Sequence, residues 1–501
     1  MSMRRVFLDS LLIVIVGVTL FARVSTAYFC GFDDFSETHR AVFEDARHPV
    51  NIFTTTHFGG PKYRPLNRLS TFVCWNLGRG TALPFRLRNL IFHLICALCV
   101  YGMAWFWTHD RKTALTAGLL FCLMPVANQT VVAAIFTNTV AYALLLSSFL
   151  LFLYWLDSGR SYLLAVSMTL VAIGLFFYEP VIVVFAMIFG YLLLFRWKRN
   201  TLDRRKIMAL VGSSAIVLLI FGTVRHLIVH GQNPRAPLAT ILVDSAMYIA
   251  ALVSPVDPVL ANRLFGTPLP PAFHVSRQSL LWFALASATL SAAALLLSRT
   301  QEVQAGLRRL DKGLATFLVL SIFAVLTPFL VFSPHASETY LYLPAALYAI
   351  VLSLVFRALL TSDLAYGIVV AIFLLSFGAG TWARNQKVAS CGQIAARILG
   401  QLPVDDWKTG ENYVRLANAR GEAPQHHYGV YLYQGLSTIE RGEPGDSPAA
   451  MYALQLVTKN PSLKVEVVDP AEIDHSCNIP RTCFWVYRNG TVRDVTQAAT
   501  Q

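Results

Sequence analysis

Asp33 and Asp34 stand side by side in the run Gly31-Phe32-Asp33-Asp34-Phe35-Ser36-Glu37, just after the first apolar stretch ends. Adjacent carboxylates at a membrane rim are costly unless they are paired or solvated. There they could take a proton from an attacking hydroxyl or hold a divalent cation through their oxygens. An isolated Asp-Asp also reads as the solvated start of a loop. About thirty residues on comes a basic cluster, Lys62-Tyr63-Arg64-Pro65-Leu66-Asn67-Arg68, followed by Phe85-Arg86-Leu87-Arg88-Asn89 and Phe92-His93. Guanidinium groups grip phosphate bidentately, so Arg64, with Lys62 beside it, suits an anion site, and Arg225-His226 adds another cation further along. His93 reads as a packed helix residue. Glu179, in Tyr178-Glu179-Pro180, and Glu338, in His335-Ala336-Ser337-Glu338-Thr339-Tyr340-Leu341-Tyr342-Leu343-Pro344, are the acidic residues of the short turns on the same side.

The elements that position these residues follow from composition. The 501 residues are 55% hydrophobic and 14% charged, with mean hydropathy +0.53, against about 25% charged in an average globular chain. This excludes disorder, coiled coil, a secreted disulfide scaffold and a soluble nucleic-acid-binding protein. Apolar blocks long enough to cross a bilayer as helices fall at about 6–28, 87–107, 113–127, 131–156, 161–178, 180–196, 207–229, 278–298, 313–332, 340–360 and 363–382. The chain therefore reads as an α-helical polytopic membrane protein of about eleven spans. Arg4 and Arg5 precede the first span, which reads as an uncleaved anchor.

Sidedness comes from the short connections. Arg111 and Lys112, Arg160, the run from Arg196 to Lys206, the group from Arg299 to Lys312, and Arg357 all fall on the N-terminal side of the bilayer. The opposite short connections, near 128–130, 179 and 333–339, have no Lys or Arg. With the N-terminus cytoplasmic, two long outer loops result, 29–86 and 230–277. Loop charge is a weak guide where loops are long, since these translocate regardless of it. The apolar piece Leu238–Val253, interrupted by Asp244, reads as a surface or re-entrant helix. Residues 1–382 form the membrane domain and 383–501 a small extracytoplasmic α/β domain. In the latter, twelve Lys or Arg balance twelve Asp or Glu, so the membrane domain carries the whole net charge of +13. Helices are expected at Gln386–Leu402 and Ala449–Thr458, and strands at Leu463–Val468 and Cys483–Arg488. Cys477 and Cys483, six apart, would suit a disulfide in an oxidising compartment; two unrelated thiols fit the spacing as well.

In order along residues 1–380, Phe32-Asp33-Asp34, Lys62-Tyr63-Arg64-Pro65-Leu66, Asn89-Leu90-Ile91-Phe92-His93, Met124-Pro125, Tyr178-Glu179-Pro180 and Glu338-Thr339-Tyr340-Leu341-Tyr342-Leu343-Pro344 resemble the GT-C superfamily of membrane glycosyltransferases. Within it the likeness is to the transmembrane and tetratricopeptide-repeat O-mannosyltransferases and their bacterial relatives. The resemblance implies a polyprenyl-phosphate-linked sugar as donor, a hydroxyl acceptor (glycan, lipid or protein), and action on the extracytoplasmic face with inversion at the anomeric carbon. It casts Asp33 or Asp34 as general base. Arg64, Lys62 and Arg225 would hold the donor phosphate, and Tyr63, Glu179, His335, Glu338 and Tyr342 would line the substrate. No cofactor is implied with certainty; a divalent cation at Asp33 and Asp34 stays open. Three departures leave sugar and acceptor open. Met124-Pro125 and Gln129 replace a His-Pro with a following acidic residue, Thr339 stands where an arginine is common, and the repeat array is missing. With no such array, a bacterial inner membrane is the expected location. Two rivals have distinct signatures. A lipid or glycan flippase would bury ionisable residues at the bilayer midplane, where these spans are almost free of charge. An O-antigen ligase or polymerase would carry its large outer loop late in the chain.

Overall fold

The structure is a computed structural model. It describes residues 3–29, 32–56, 62–197, 203–230, 235–254, 305, 308, 311–332, 337–410, 412–417, 448–468, 482–487 and 491–495. The helices in chain order are α1 (Met3–Ser25), α2 (Phe32–Arg40), α3 (Asn51–Thr54), α4 (Pro65–Gly78), α5 (Leu83–Thr108), α6 (Arg111–Leu123), α7 (Asn128–Val132), α8 (Asn138–Ser158), α9 (Ser161–Phe177), α10 (Val183–Tyr191), α11 (Arg204–Ile228), α12 (Leu238–Val253), α13 (Lys312–Phe332), α14 (Tyr342–Leu359), α15 (Asp363–Gln401) and α16 (Pro448–Thr458). Ten of the eleven expected spans overlap these helices; the eighth, 278–298, lies outside the described residues. Seven of the helices are long and apolar enough to cross a bilayer, and α6 with the segment Pro125–Val132, bent by 52°, brings the number to eight if the bent pair is one span. α9, α12 and the segment Glu179–Phe195 are apolar but shorter. The protein is an integral membrane protein.

The bend has a local cause. Proline has no N–H to donate and pushes the residue before it out of helical geometry. Met124 accordingly adopts an extended conformation before Pro125, and the chain unwinds again at Ala133. Irregular backbone at membrane depth must be satisfied by protein, and α5 does this. Asn89 Nδ2 donates to the Ala133 carbonyl at 2.6 Å, Arg86 Nε to Val132 at 3.2 Å, and Arg88 Nη2 to Ala134 at 2.9 Å. Arg86 also donates to the carbonyls of Val24, Ala27 and Tyr28, where α1 ends. These arginines, read from sequence as part of a basic run that could form an anion site, brace backbone.

Two cores result. One fills the membrane bundle, with Phe121, Tyr142, Phe149 and Tyr342 among its buried side chains. The other joins the first outer loop to the C-terminal domain. In that domain β1 (Tyr413–Ala417), β2 (Lys464–Val468), β3 (Cys483–Val486) and β4 (Val492–Asp494) form one sheet in the order β2-β1-β3-β4. β1 runs parallel to β2 and to β3, while β4 is antiparallel to β3. The helix expected at Gln386–Leu402 is the second half of α15, which runs unbroken for 39 residues from the last span into this domain. Where it passes the end of α1, a Cβ on Gly392 would stand 2.7 Å from the Tyr28 carbonyl oxygen. Only a glycine lets these backbones approach so closely.

Candidate active site

α2 presents Asp34 to the unwound part of the bent span. The carboxylate is 1% exposed, and its Oδ1 accepts from the backbone N–H groups of Ala134 at 3.0 Å and Ile135 at 3.4 Å. Unwinding frees those two donors, and a carboxylate is a strong acceptor for them. Asp33 precedes Asp34 on the same helix.

α4 starts at Pro65, the favoured first residue of a helix, and Tyr63 and Arg64 lead into it. The Tyr63 N–H donates to Glu179 Oε1 at 2.8 Å, and Arg64 Nε meets Glu179 Oε2 at 2.6 Å. The guanidinium also lies 4.5 Å from the centre of the Tyr178 ring, a favourable cation–π placement. Burial works to raise the Glu179 carboxyl, but Arg64 outweighs it and holds the group below the ordinary carboxylate range. Burial likewise works against the charge on Arg64, and Glu179 overturns that and raises it. The pair is thus ionised on both sides. Arg64 remains 16% exposed and spends only Nε on Glu179, and its two Nη groups have no acceptor among the described residues.

Lys62 beside it is exposed. Arg225 is half-buried near the outer end of α11. One turn before it Phe221 packs on Phe176, which packs on Tyr63, so the end of α11 borders the same region. Tyr178 stacks on Phe329, and Phe329 stacks on Tyr340 with ring centres 4.2 Å apart. This string of rings leads from Arg64 to the turn that holds Glu338.

Glu338 is fully buried and forms a two-point ion pair with Arg384 of α15, Nη1 to Oε2 and Nη2 to Oε1. Arg384 is 1% exposed. The sequence reading placed Arg384 in the soluble tail and noted a missing arginine after Glu338; the pairing arginine comes instead from a helix 46 residues on. Next to it, Asn385 accepts from Asn128 of the bent span and donates to the Leu20 carbonyl. Tyr342 lies in the bundle core, where its hydroxyl meets His93 Nδ1 at 2.8 Å and its ring stacks on Tyr142. His93 Nε2 donates to the Cys122 carbonyl, so His93 is a packed helix residue, as expected.

The structure therefore brings Tyr63, Arg64, Glu179 and the Glu338 turn to one end of the bundle, with Asp34 bound to the bent span that also packs on that turn. His335 and Cys477 lie outside the described residues. Cys483 is disulfide-bonded. Among the described residues no group of three or more His, Cys, Asp or Glu side chains is placed to hold a metal ion. Sequence reasoning missed the buried pair of Arg68 with Asp45, which ties α4 to the loop after α2; Arg68 also donates to Asn51 and Thr55. An acid and a base 23 residues apart within one loop carry no spacing signal.

Comparison with known proteins gives two findings. Residues 71–226 match the family described as dolichyl-phosphate-mannose-protein mannosyltransferase, and over that segment the resemblance read from the ordered motifs is borne out. Among solved structures, the chain is similar to ArnT from Cupriavidus metallidurans bound to undecaprenyl phosphate, at 16% identity and a TM-score of 0.42, over 95% of this chain and 92% of that one. The same protein in the apo state gives 14% identity and a TM-score of 0.40 over the same shares. No curated protein matches the chain in sequence.

Proposed function

We propose that this chain, whose residues 71–226 match the family described as dolichyl-phosphate-mannose-protein mannosyltransferase, is a membrane glycosyltransferase. It moves a sugar from a polyprenyl-phosphate donor to a hydroxyl acceptor on the extracytoplasmic face. The acceptor oxygen attacks the anomeric carbon and its proton passes to a carboxylate of the Asp33-Asp34 pair. The bond from that carbon to the phosphate oxygen breaks, and the lipid phosphate leaves with the electron pair. Direct displacement inverts the anomeric centre. The carrying observation is Arg64: its charge is fixed by Glu179 and its Nη groups have no acceptor among the described residues. A positioned cation of this kind stabilises charge that develops on a leaving phosphate. Lys62 and Arg225 add positive charge around it.

On this reading the N-terminus is cytoplasmic, the C-terminal domain is extracytoplasmic, and the membrane is a bacterial inner membrane. The transferred sugar follows no rule the residues state, so the test supplies a panel. Purified protein in nanodiscs is given radiolabelled polyprenyl-phosphate sugars one at a time, and release of free lipid phosphate is measured. Loss of a positioned base costs about 10²–10⁴-fold in rate, so Asp33→Asn or Asp34→Asn is expected to lose that much while still binding lipid. Arg64→Ala is expected to weaken both donor binding and turnover. Unchanged turnover in all three variants would sink the site; no release from any donor by folded wild type would sink the activity.

A further inference from the structure

Resting on the transferase reading, we propose that the C-terminal domain positions the helix bearing Asp33 and Asp34, with Tyr452 as the positioning residue. The second hydrophobic core is shared: Phe29 and Phe35 of the outer loop are buried in one cluster with Leu399 of α15, Trp407, Leu454 of α16 and Phe484 of β3. A module appended to recruit an acceptor would close its own core and touch the membrane domain through a polar, replaceable surface. Here Phe35, the neighbour of Asp34, is 1% exposed inside that domain's core.

α2 is nine residues long and is gripped from two sides. Asp34 is bound to Ala134 and Ile135 of the bent span. Five residues on, the His39 ring is sandwiched between Phe43 and Tyr452 of α16, 4.7 Å from each. Helices this short are marginal in water and take their stability from packing. The backbone N–H groups that hold the carboxylate belong to a segment that is itself unwound, so the packing of α2 on α16 adds a second grip. Tyr452 acts through His39, by fixing the helix that carries the carboxylates.

The test uses the full chain in nanodiscs with Tyr452→Ala and Tyr452→Phe, the polyprenyl-phosphate sugar that wild type turns over in the panel above as donor, and undecaprenyl phosphate as binding probe. A displacement of about 1 Å at a reacting group costs up to about 100-fold. Tyr452→Ala is therefore expected to turn over about 10- to 100-fold more slowly, with probe affinity within about twofold of wild type, and Tyr452→Phe, which keeps the ring, to recover most of the rate. Hydrogen exchange gives an arm independent of catalysis: amides of residues 32–40 should exchange faster in Tyr452→Ala while those of α5 and α8 stay protected. Wild-type turnover in Tyr452→Ala, unchanged exchange over 32–40, or loss of probe binding in step with rate would each overturn the proposal. If wild type itself releases lipid phosphate from no donor of the panel, the transferase reading fails and the exchange arm still decides whether the domain holds α2.

Discussion

At the residue scale, the two acid–base pairs of the outer end have opposite characters. Arg64 and Glu179 are part-exposed, and water and a ligand can both reach the cation. Glu338 and Arg384 are buried at 0% and 1% exposure and tie the last span to the turn before α14. Burying two charges gains little over an apolar pair, but removing one partner leaves the other unpaired at a cost of about 3–5 kcal/mol. Glu338→Gln is thus expected to lower the thermal stability of the whole membrane domain, with Glu338→Gln/Arg384→Met recovering much of it. A single variant as stable as wild type would show that the pair is spare. Glu179 was legible as chemistry because it stands in a short turn without Lys or Arg, and Arg64 because it stands in the basic cluster Lys62–Arg68. The Arg384 partner was hidden by its position past the last apolar block, among tail residues of balanced charge.

At the element scale, the apolar blocks announced nearly every span, since twenty apolar residues in a row have few uses other than crossing a bilayer. The break at Met124-Pro125 was visible as a proline, yet its consequence was not: which donors the unwound chain frees, and which carboxylate takes them, depends on α2 arriving from another part of the chain. The contact of α2 with α16 carries a pH signature. Burial between Phe43, Tyr452 and Gln455 pushes the His39 ring down from 6.5 to about 4, with Gln455 acting in the opposite direction. A base held neutral in the docked state but free to protonate when exposed stabilises the contact fully above about 6.5 and progressively less as pH falls toward 4. Hydrogen exchange over residues 32–40, compared at pH 7 and pH 5 after correction for intrinsic rates, is expected to show weaker protection at pH 5. His39→Phe should abolish that difference; a difference that survives in this variant assigns the pH dependence to another group.

At the scale of the whole molecule, sidedness and the tail belong together. On the charge pattern the N-terminus is expected in the cytoplasm and the tail outside; Cys483 is disulfide-bonded, which fits an oxidising compartment. Pairing with Cys477 is the expected connectivity. Mass spectrometry of protein purified without reductant should find a linked peptide containing both cysteines, lost in Cys477→Ser. A reduced Cys483 in protein from cells would place the tail inside and reverse the orientation. The mixed α/β character of the tail and the helix and strands expected near Ala449–Thr458, Leu463–Val468 and Cys483–Arg488 were legible, because hydrophobic length and period are local properties of the chain; of the eleven expected spans, seven or eight are long enough to cross among the described residues.

What the sequence by itself determined is the membrane class, most of the apolar helices and a short list of acids and bases near their ends. Each of these is set by the solvation of nearby residues, which composition records directly. What only the tertiary structure decided is who pairs with whom: Glu338 with Arg384, Asp34 with the backbone at Ala134 and Ile135, and the helix of Asp34 with a domain more than 400 residues further on. Those pairings are fixed by chain closure across the whole bundle, where one acid can meet any of many bases. Burial energy, summed over both cores, selects the partner; spacing along the chain does not.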